Sequence, residues 1–229
     1  FHEDDSFDFS YYYPYYCGNR ISTMEQVEIE KHAEKESYAG ICDDVRLGVT
    51  LIFYLQNVPD YLAVKNNKFY KNQSEGVILG ALSTEGKVLL PVNKTEQKNP
   101  PTQQNTDERN RLIAEARNGN EDAIENLTLE DMDTYSMISQ RIDTDDILTI
   151  VDSYFMPYGI ECDQYNVLGE ILDIMKFKNI LTGEEICQMT IESNDMQFDV
   201  CINSKDLLGE PAVGRRFKGT IWLQGQLHY

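Results

Sequence analysis

Positive charge is scarce in this chain: 20 lysines and arginines stand against 39 aspartates and glutamates, a formal net charge of −19. The shortfall runs throughout, with 14 basic against 28 acidic side chains up to residue 159 and 6 against 11 beyond it. A field of that sign repels a phosphate backbone and an anionic bilayer surface, so neither nucleic acid nor a membrane is an expected partner. Long apolar runs are missing as well: nothing approaches the roughly 18 residues that a spanning helix needs. Cysteine is sparse and unpaired in pattern. Cys17, Cys42, Cys162, Cys187 and Cys201 are odd in number, widely spaced and without a C-x-x-C pair, which excludes a disulfide framework or zinc knuckle and reads as reduced thiols in a cytoplasm.

Catalytic motifs are equally thin. Of three histidines, His2 and His228 lie near the chain ends, and neither a G-x-S-x-G elbow nor a phosphate-cradling GK[ST] loop occurs. Each cysteine sits in an apolar or acidic run, a setting that raises a thiol pKa and blunts it as a nucleophile. No cofactor is expected. The chain starts at Phe1 with neither an initiator Met nor a signal-peptide pattern, so the expectation is that a native N-terminal segment precedes it.

What is present suits a folded protein. At 229 residues, 41% apolar and 26% charged, the chain can bury a core without covalent staples. Short runs rich in Tyr, Val, Ile and Leu dominate residues 1–93, among them FDFSYYYPYY, QVEIE and RLGVTLIFYL. GVILGAL and KVLLPV flank Ser83-Thr84-Glu85-Gly86, which reads as a hairpin turn with Gly86 supplying the positive φ. Residues 94–105, KTEQKNPPTQQN, lack apolar side chains and read as a linker.

Helical spacing follows. Asn105 with Glu108 forms a candidate cap, Leu112, Ile113 and Ala116 a buried stripe, and Gly119 a stop; a second turn starts at Asn120, and Thr128 to Asp131 resembles a capping box. Between residues 106 and 142, 4 arginines face 9 acids, so the outer face of these helices is acidic. Beyond Asp163, YNVLGEILDIMKF, EEICQMTIES, MQFDVCI and FKGTIWLQGQL read as strands, with turns at Thr182-Gly183-Glu184 and Ser193-Asn194-Asp195. The expected fold is therefore α+β: a sheet-rich N-terminal domain over 1–93, a linker over 94–105, a short acidic helical connector over 106–145, and a small C-terminal OB-like β-barrel over 146–229 whose first strand bends at Gly169.

Three clusters carry candidate chemistry. In VEIEKHAEKE, a strand would project Glu28, Glu30, His32 and Glu34 from one face, a donor set for a divalent cation. Same-face neighbours sit roughly 6–7 Å apart on a strand, so chelation needs help from another segment, and a solvated acidic face is the competing account. The run Tyr11 to Tyr16 with Pro14 offers flat amphipathic rings for stacking, or an edge or homo-oligomer contact. In GEPAVGRRFKGTIWLQG, alternation puts Phe217, Gly219, Ile221 and Leu223 on one face and Lys218, Thr220, Trp222 and Gln224 on the other. Arg216, Lys218, Trp222 and Gln224 then form a candidate face for an anion or aromatic ring. The competing account pairs Arg215, Arg216 and Lys218 with acids such as Glu210, Asp199 and Asp206.

HAEKESYAGICDDVRLGVTLIFYLQN (32–57), EDAIENLTLEDMDTYSMIS (121–139), FMPYGIECDQYNVLGEI (155–171) and FDVCINSKDLLGEPAVGRRFKGTIWLQG (198–225) together resemble a family of uncharacterised proteins from anaerobic clostridial bacteria, a domain of unknown function. The resemblance covers most of the chain and is poorest near 94–105. It implies a further N-terminal segment, and no activity, cofactor or catalytic residue. The functional expectation is a non-enzymatic cytosolic binding or scaffold protein engaging a protein partner or a second copy of itself. The alternative is a metal-dependent hydrolase centred on the Glu28–Glu36 face.

Overall fold

The computed structural model describes residues 13–33, 37–66, 74–92, 151–160 and 162–229, with positions 111, 112, 114, 115, 120, 122, 123, 126 and 148 between them. The strands are β1 (Ile21–Thr23), β2 (Val27–Lys31), β3 (Tyr38–Asp43), β4 (Thr50–Leu55), β5 (Gly76–Leu89), β6 (Tyr154–Pro157), β7 (Gln164–Lys178), β8 (Glu185–Ser193), β9 (Met196–Asn203), β10 (Leu207–Leu208) and β11 (Arg216–His228). One short helix, α1 (Val58–Asn66), stands complete among the described residues. No helix among them is long and apolar enough to cross a membrane.

All eleven strands among the described residues belong to one mixed sheet, in the order β1-β5-β9-β8-β7-β11-β4-β3-β2, with β10 on β5, β6 on β7 and a further pairing of β5 with β11. This corrects the expected architecture. Residues 1–93 are not a separate sheet domain, and residues 146–229 are not an OB-like barrel of their own. β5 runs parallel to β9 on one edge and antiparallel to β11 on the other, from Arg216↔Leu89 to His228↔Gly76. Alternation along a chain marks strands, but it carries no information about which distant strand completes the ladder. The linker 94–105 and most of the connector 106–145 lie outside the described residues. Asn120 does cap there, its Oδ1 accepting the backbone N–H of Asp122 and Ala123.

The predicted hairpin at Ser83–Gly86 is absent, because β5 continues straight through it. Thr220 pairs with Glu85 and Ile221 with Ser83, leaving Thr84 as the extra residue of a β-bulge. Gly86 serves close approach here: a Cβ on it would lie 2.4 Å from the Phe217 ring. The tight turn lies elsewhere, at Asn194 and Asp195, whose φ of 50° and 60° join β8 to β9 through a two-residue hairpin between the paired Ser193 and Met196. Gly169 marks the changeover in β7, which pairs with β11 over Gln164–Glu170 and with β8 from Glu170 onward.

One core serves the whole sheet, drawing Leu51, Phe53, Val77 and Leu79 together with Ile191, Phe198, Phe217 and Leu223. Each fully buried side chain of this size contributes about 1.5–3 kcal/mol. Phe53 lies between Gly40 and Gly225, where an added Cβ would come within 2.1 Å and 2.4 Å of its ring. That fit holds β3, β4 and β11 together.

Candidate functional site

β11 runs through the middle of the sheet and supplies the four candidate ligand residues. Phe217, Ile221 and Leu223 are buried in the core, so Arg216, Lys218, Trp222 and Gln224 share the opposite face as alternation requires. They do not form one ligand surface, because chain segments cover both ends of that face. At one end Arg216, 6% exposed, donates from Nε to the carbonyl of Leu90 (3.0 Å), from Nη1 to that of Val151 (2.7 Å) and from Nη2 to that of Leu148 (2.7 Å). Burial lowers its pKa from the ordinary value, yet a guanidinium stays charged at any physiological pH. The expected pairing with acids is replaced by carbonyl ligation, and Arg215 likewise donates to the Glu210 carbonyl.

At the other end the tyrosine-rich segment lies across β11. Gln224 is fully buried beneath it: its Oε1 accepts from the Tyr16 N–H (3.0 Å) and from Gln56 Nε2 (2.6 Å), and its Nε2 donates to the Pro14 carbonyl (2.9 Å). Gln56 Nε2 also donates to the Tyr16 carbonyl at 2.8 Å. Two side-chain amides thus stand in for the ladder that Pro14 interrupts. Trp222 donates from Nε1 to Asp163 Oδ2 at 2.6 Å, and its ring packs edge-on to Tyr54 (5.4 Å) and Tyr13 (6.4 Å). These rings pack against one another, and Gln224, fully buried, is closed to a ligand. Tyr11 and Tyr12 lie outside the described residues.

Between the covered ends the face opens into a pocket of about 430 Å³, with Lys218 and Lys87 in its lining. Lys87 was missed by sequence reasoning, since only the β5–β11 register brings it opposite Lys218.

The acidic candidates occupy the outermost strand. Val27 and Ile29 of β2 pack against the core while Glu28 and Glu30 are exposed. His32 follows the strand, its Nδ1 2.8 Å from Ser37 Oγ and its backbone N–H donating to the Ser37 carbonyl. Glu34 lies outside the described residues. Among the described residues no three His, Cys, Asp or Glu side chains are grouped to hold a metal. The neighbouring acids are engaged: Asp43 accepts from Thr50 Oγ1 (2.7 Å), and the buried Asp44 accepts from Arg46 Nε (2.9 Å) and Nη2. Arg46 goes on to donate to the carbonyls of Ser22 and Asp195. Burial acts to raise the Asp44 carboxyl, but hydrogen bonds from Arg46 and Thr23 outweigh it and hold the group below the usual carboxylate range.

Glu30 and His32 do line a groove of about 670 Å³, floored by Ile41 and Ile52 and walled by Cys162 and Tyr165. The Tyr165 hydroxyl accepts from the Ile52 N–H (2.7 Å) and donates to the Ile52 carbonyl (3.1 Å). It thereby satisfies a stretch of β4 that β11, paired with β4 only at Tyr54 and Leu55, does not reach. All five thiols are free, and burial pushes Cys42 up to about 12 and Cys201 up to about 11, so both stay protonated and inert at neutral pH.

A large mixed sheet with an acidic surface, a groove beside its outermost strand and a smaller pocket on β11 defines the molecule. The chain belongs to the family described as "Domain of unknown function, E. rectale Gene description (DUF3881)", whose model matches residues 1–225. No curated protein and no solved structure matches it.

Proposed function

We propose that this protein is a non-enzymatic cytoplasmic binding or scaffold protein that engages a protein partner along the groove beside β2. The observation that carries this reading is the groove itself, about 670 Å³, with an apolar floor of Ile41 and Ile52. Along its Pro157–Gly159 wall, Met156, Tyr158 and Ile160 are exposed, Ile160 by 94%. Clustered exposed apolar side chains mark contact surfaces. β2 ends the strand order, and an edge strand offers backbone groups to an extended segment. The exposed Glu28 and Glu30, within a chain of net charge −19, favour a segment carrying basic residues. Free thiols support a reducing compartment.

A photo-crosslinking residue at position 160, introduced in the native cell, tests the reading. The expected result is a discrete adduct with another protein, lost when Ile52→Glu charges the groove floor. Adducts only with small molecules, or none, would overturn it. The hydrolase alternative rests on Glu30 and His32 lining the same groove. It requires bound divalent metal on purified protein, lost in the Glu30→Ala, His32→Ala double variant.

A further inference from the structure

We propose that the pocket on β11 is a binding site for the anionic group, carboxylate or phosphate, of a small molecule. Donors from four strands converge there. Lys218 on β11 is the register partner of Lys87 on β5, so their side chains leave the same face opposite one another. Thr220, two residues along and on that same face, is the register partner of Asn166 on β7. Tyr154 of β6 completes the set.

Two features separate this cluster from an ordinary solvated surface. Neither lysine has an ion-pair or hydrogen-bond partner among the described residues, although like charges directly opposite on antiparallel strands destabilise a sheet. An anion between them removes that cost. Second, the Thr220 hydroxyl donates to Asn166 Oδ1 at 2.8 Å. This fixes the amide orientation and leaves its two N–H donors without a partner among the described residues. The phenol of Tyr154, its pKa raised by burial, stays protonated and able to donate.

The same pocket limits what the ligand is. Glu85 and Asp206 also line it without an ion pair to either lysine among the described residues, so the space between the two ammonium groups takes one compact anionic group and no more. A polyanion meets the repulsion of the whole chain. The volume of about 430 Å³ exceeds that of a free ion and falls in the range of small-molecule sites, roughly 300–1,000 Å³. The rest of the ligand can then offer hydroxyl or amine donors to Glu85 and Asp206.

Titration calorimetry with inorganic phosphate and, separately, acetate tests the site on the full chain, against sodium chloride at matched ionic strength. Saturable binding of at least one of the two is expected, and which one binds names the group. Lys218→Gln should weaken it by about tenfold or more, as loss of a charge-assisted hydrogen bond does. Asn166→Asp keeps an acceptor for Thr220 Oγ1 and should weaken it similarly. Lys205→Gln, the same charge change at an exposed lysine paired with Glu184, should leave binding unaltered. No saturable binding by the wild type, or equal loss in Lys205→Gln and Lys218→Gln, would overturn the proposal.

Discussion

Arg216 and Lys218 stand two residues apart on one face of β11, carry the same charge and meet opposite fates. Arg216 is buried under three backbone carbonyls from residues 90, 148 and 151, whereas Lys218 lines an open pocket and has no partner among the described residues. The Asp44–Arg46 pair resembles Arg216: Arg46 binds a buried carboxylate and two carbonyls from β1 and the β8–β9 turn. In this acidic chain Arg216 and Arg46 tie backbone segments together, whereas Lys218 and Lys87 face a cavity. The planar five-donor guanidinium suits the first task, and the single ammonium point charge suits the second.

The sharpest way to break the comparison is to remove a tie. Arg216→Leu removes the charged donor of three hydrogen bonds, to the carbonyls of Leu90, Leu148 and Val151, and a hydrogen bond to a charged group is worth about 1.5–3 kcal/mol. Partial rehydration at the pocket edge lowers the sum, so a loss of about 3 kcal/mol is expected in urea unfolding. Arg216→Lys should recover only part, since one ammonium cannot span all three oxygens.

Next in size is Asp44→Asn, with an expected cost of about 2 kcal/mol at neutral pH from loss of the charged partner of Arg46. Because the folded Asp44 carboxyl is held below its unfolded value, its contribution is complete above the unfolded pKa of about 3.9. It is lost as pH falls from there through the lower folded value. Unfolding curves for wild type and variant should therefore lie apart at pH 7 and converge in acid. A gap that stays constant would mean the charge of Asp44 is not what stabilises the turn.

The face of β11 was legible from alternation alone: Phe217, Ile221 and Leu223 are core, as their spacing demands. So were β8, β9 and the Ser193–Asp195 turn, where period two and turn chemistry are local signals. Which positions are covered was not legible. Gln224 looked like a ligand residue because its cover, Pro14 to Tyr16, lies more than two hundred residues away. Gly86 was misread for a related reason. A glycine between apolar runs signals a turn, and only the distant Phe217 ring shows that it makes room for packing.

A smaller effect of the opposite sign tests the covered end. The Tyr16 hydroxyl is buried without a hydrogen-bond partner among the described residues, and an unmet polar group costs about 1–3 kcal/mol. Tyr16→Phe keeps the ring beside Gly80 and the backbone bonds to Gln224 and Gln56, and deletes only the oxygen. A gain of about 1 kcal/mol in thermal or urea unfolding is expected. A loss would show that the hydroxyl is engaged and that the segment is held by more than the two amides.

The smallest effect probes the uncovered lysines directly. If Lys87 and Lys218 face each other as the β5–β11 register has them, Lys87→Glu turns a repulsive cross-strand pair into an attractive one. Such pairs are worth about 0.2–1 kcal/mol, so the variant should be more stable by roughly 0.5 kcal/mol in low-salt buffer free of phosphate and carboxylate. The substitution moves the net charge by two units, from −19 to −21 (one cation lost, one anion gained), so a result governed by global charge has the opposite sign. Salt separates the local effect further. Opposed side chains about 5 Å apart lie within a Debye length of about 10 Å at 0.1 M, and screening should erode the advantage of the variant as sodium chloride rises. Stability unchanged or lowered by Lys87→Glu at low salt would mean that the two ammonium groups point away from each other, and the four-strand convergence of donors in the pocket would go with them.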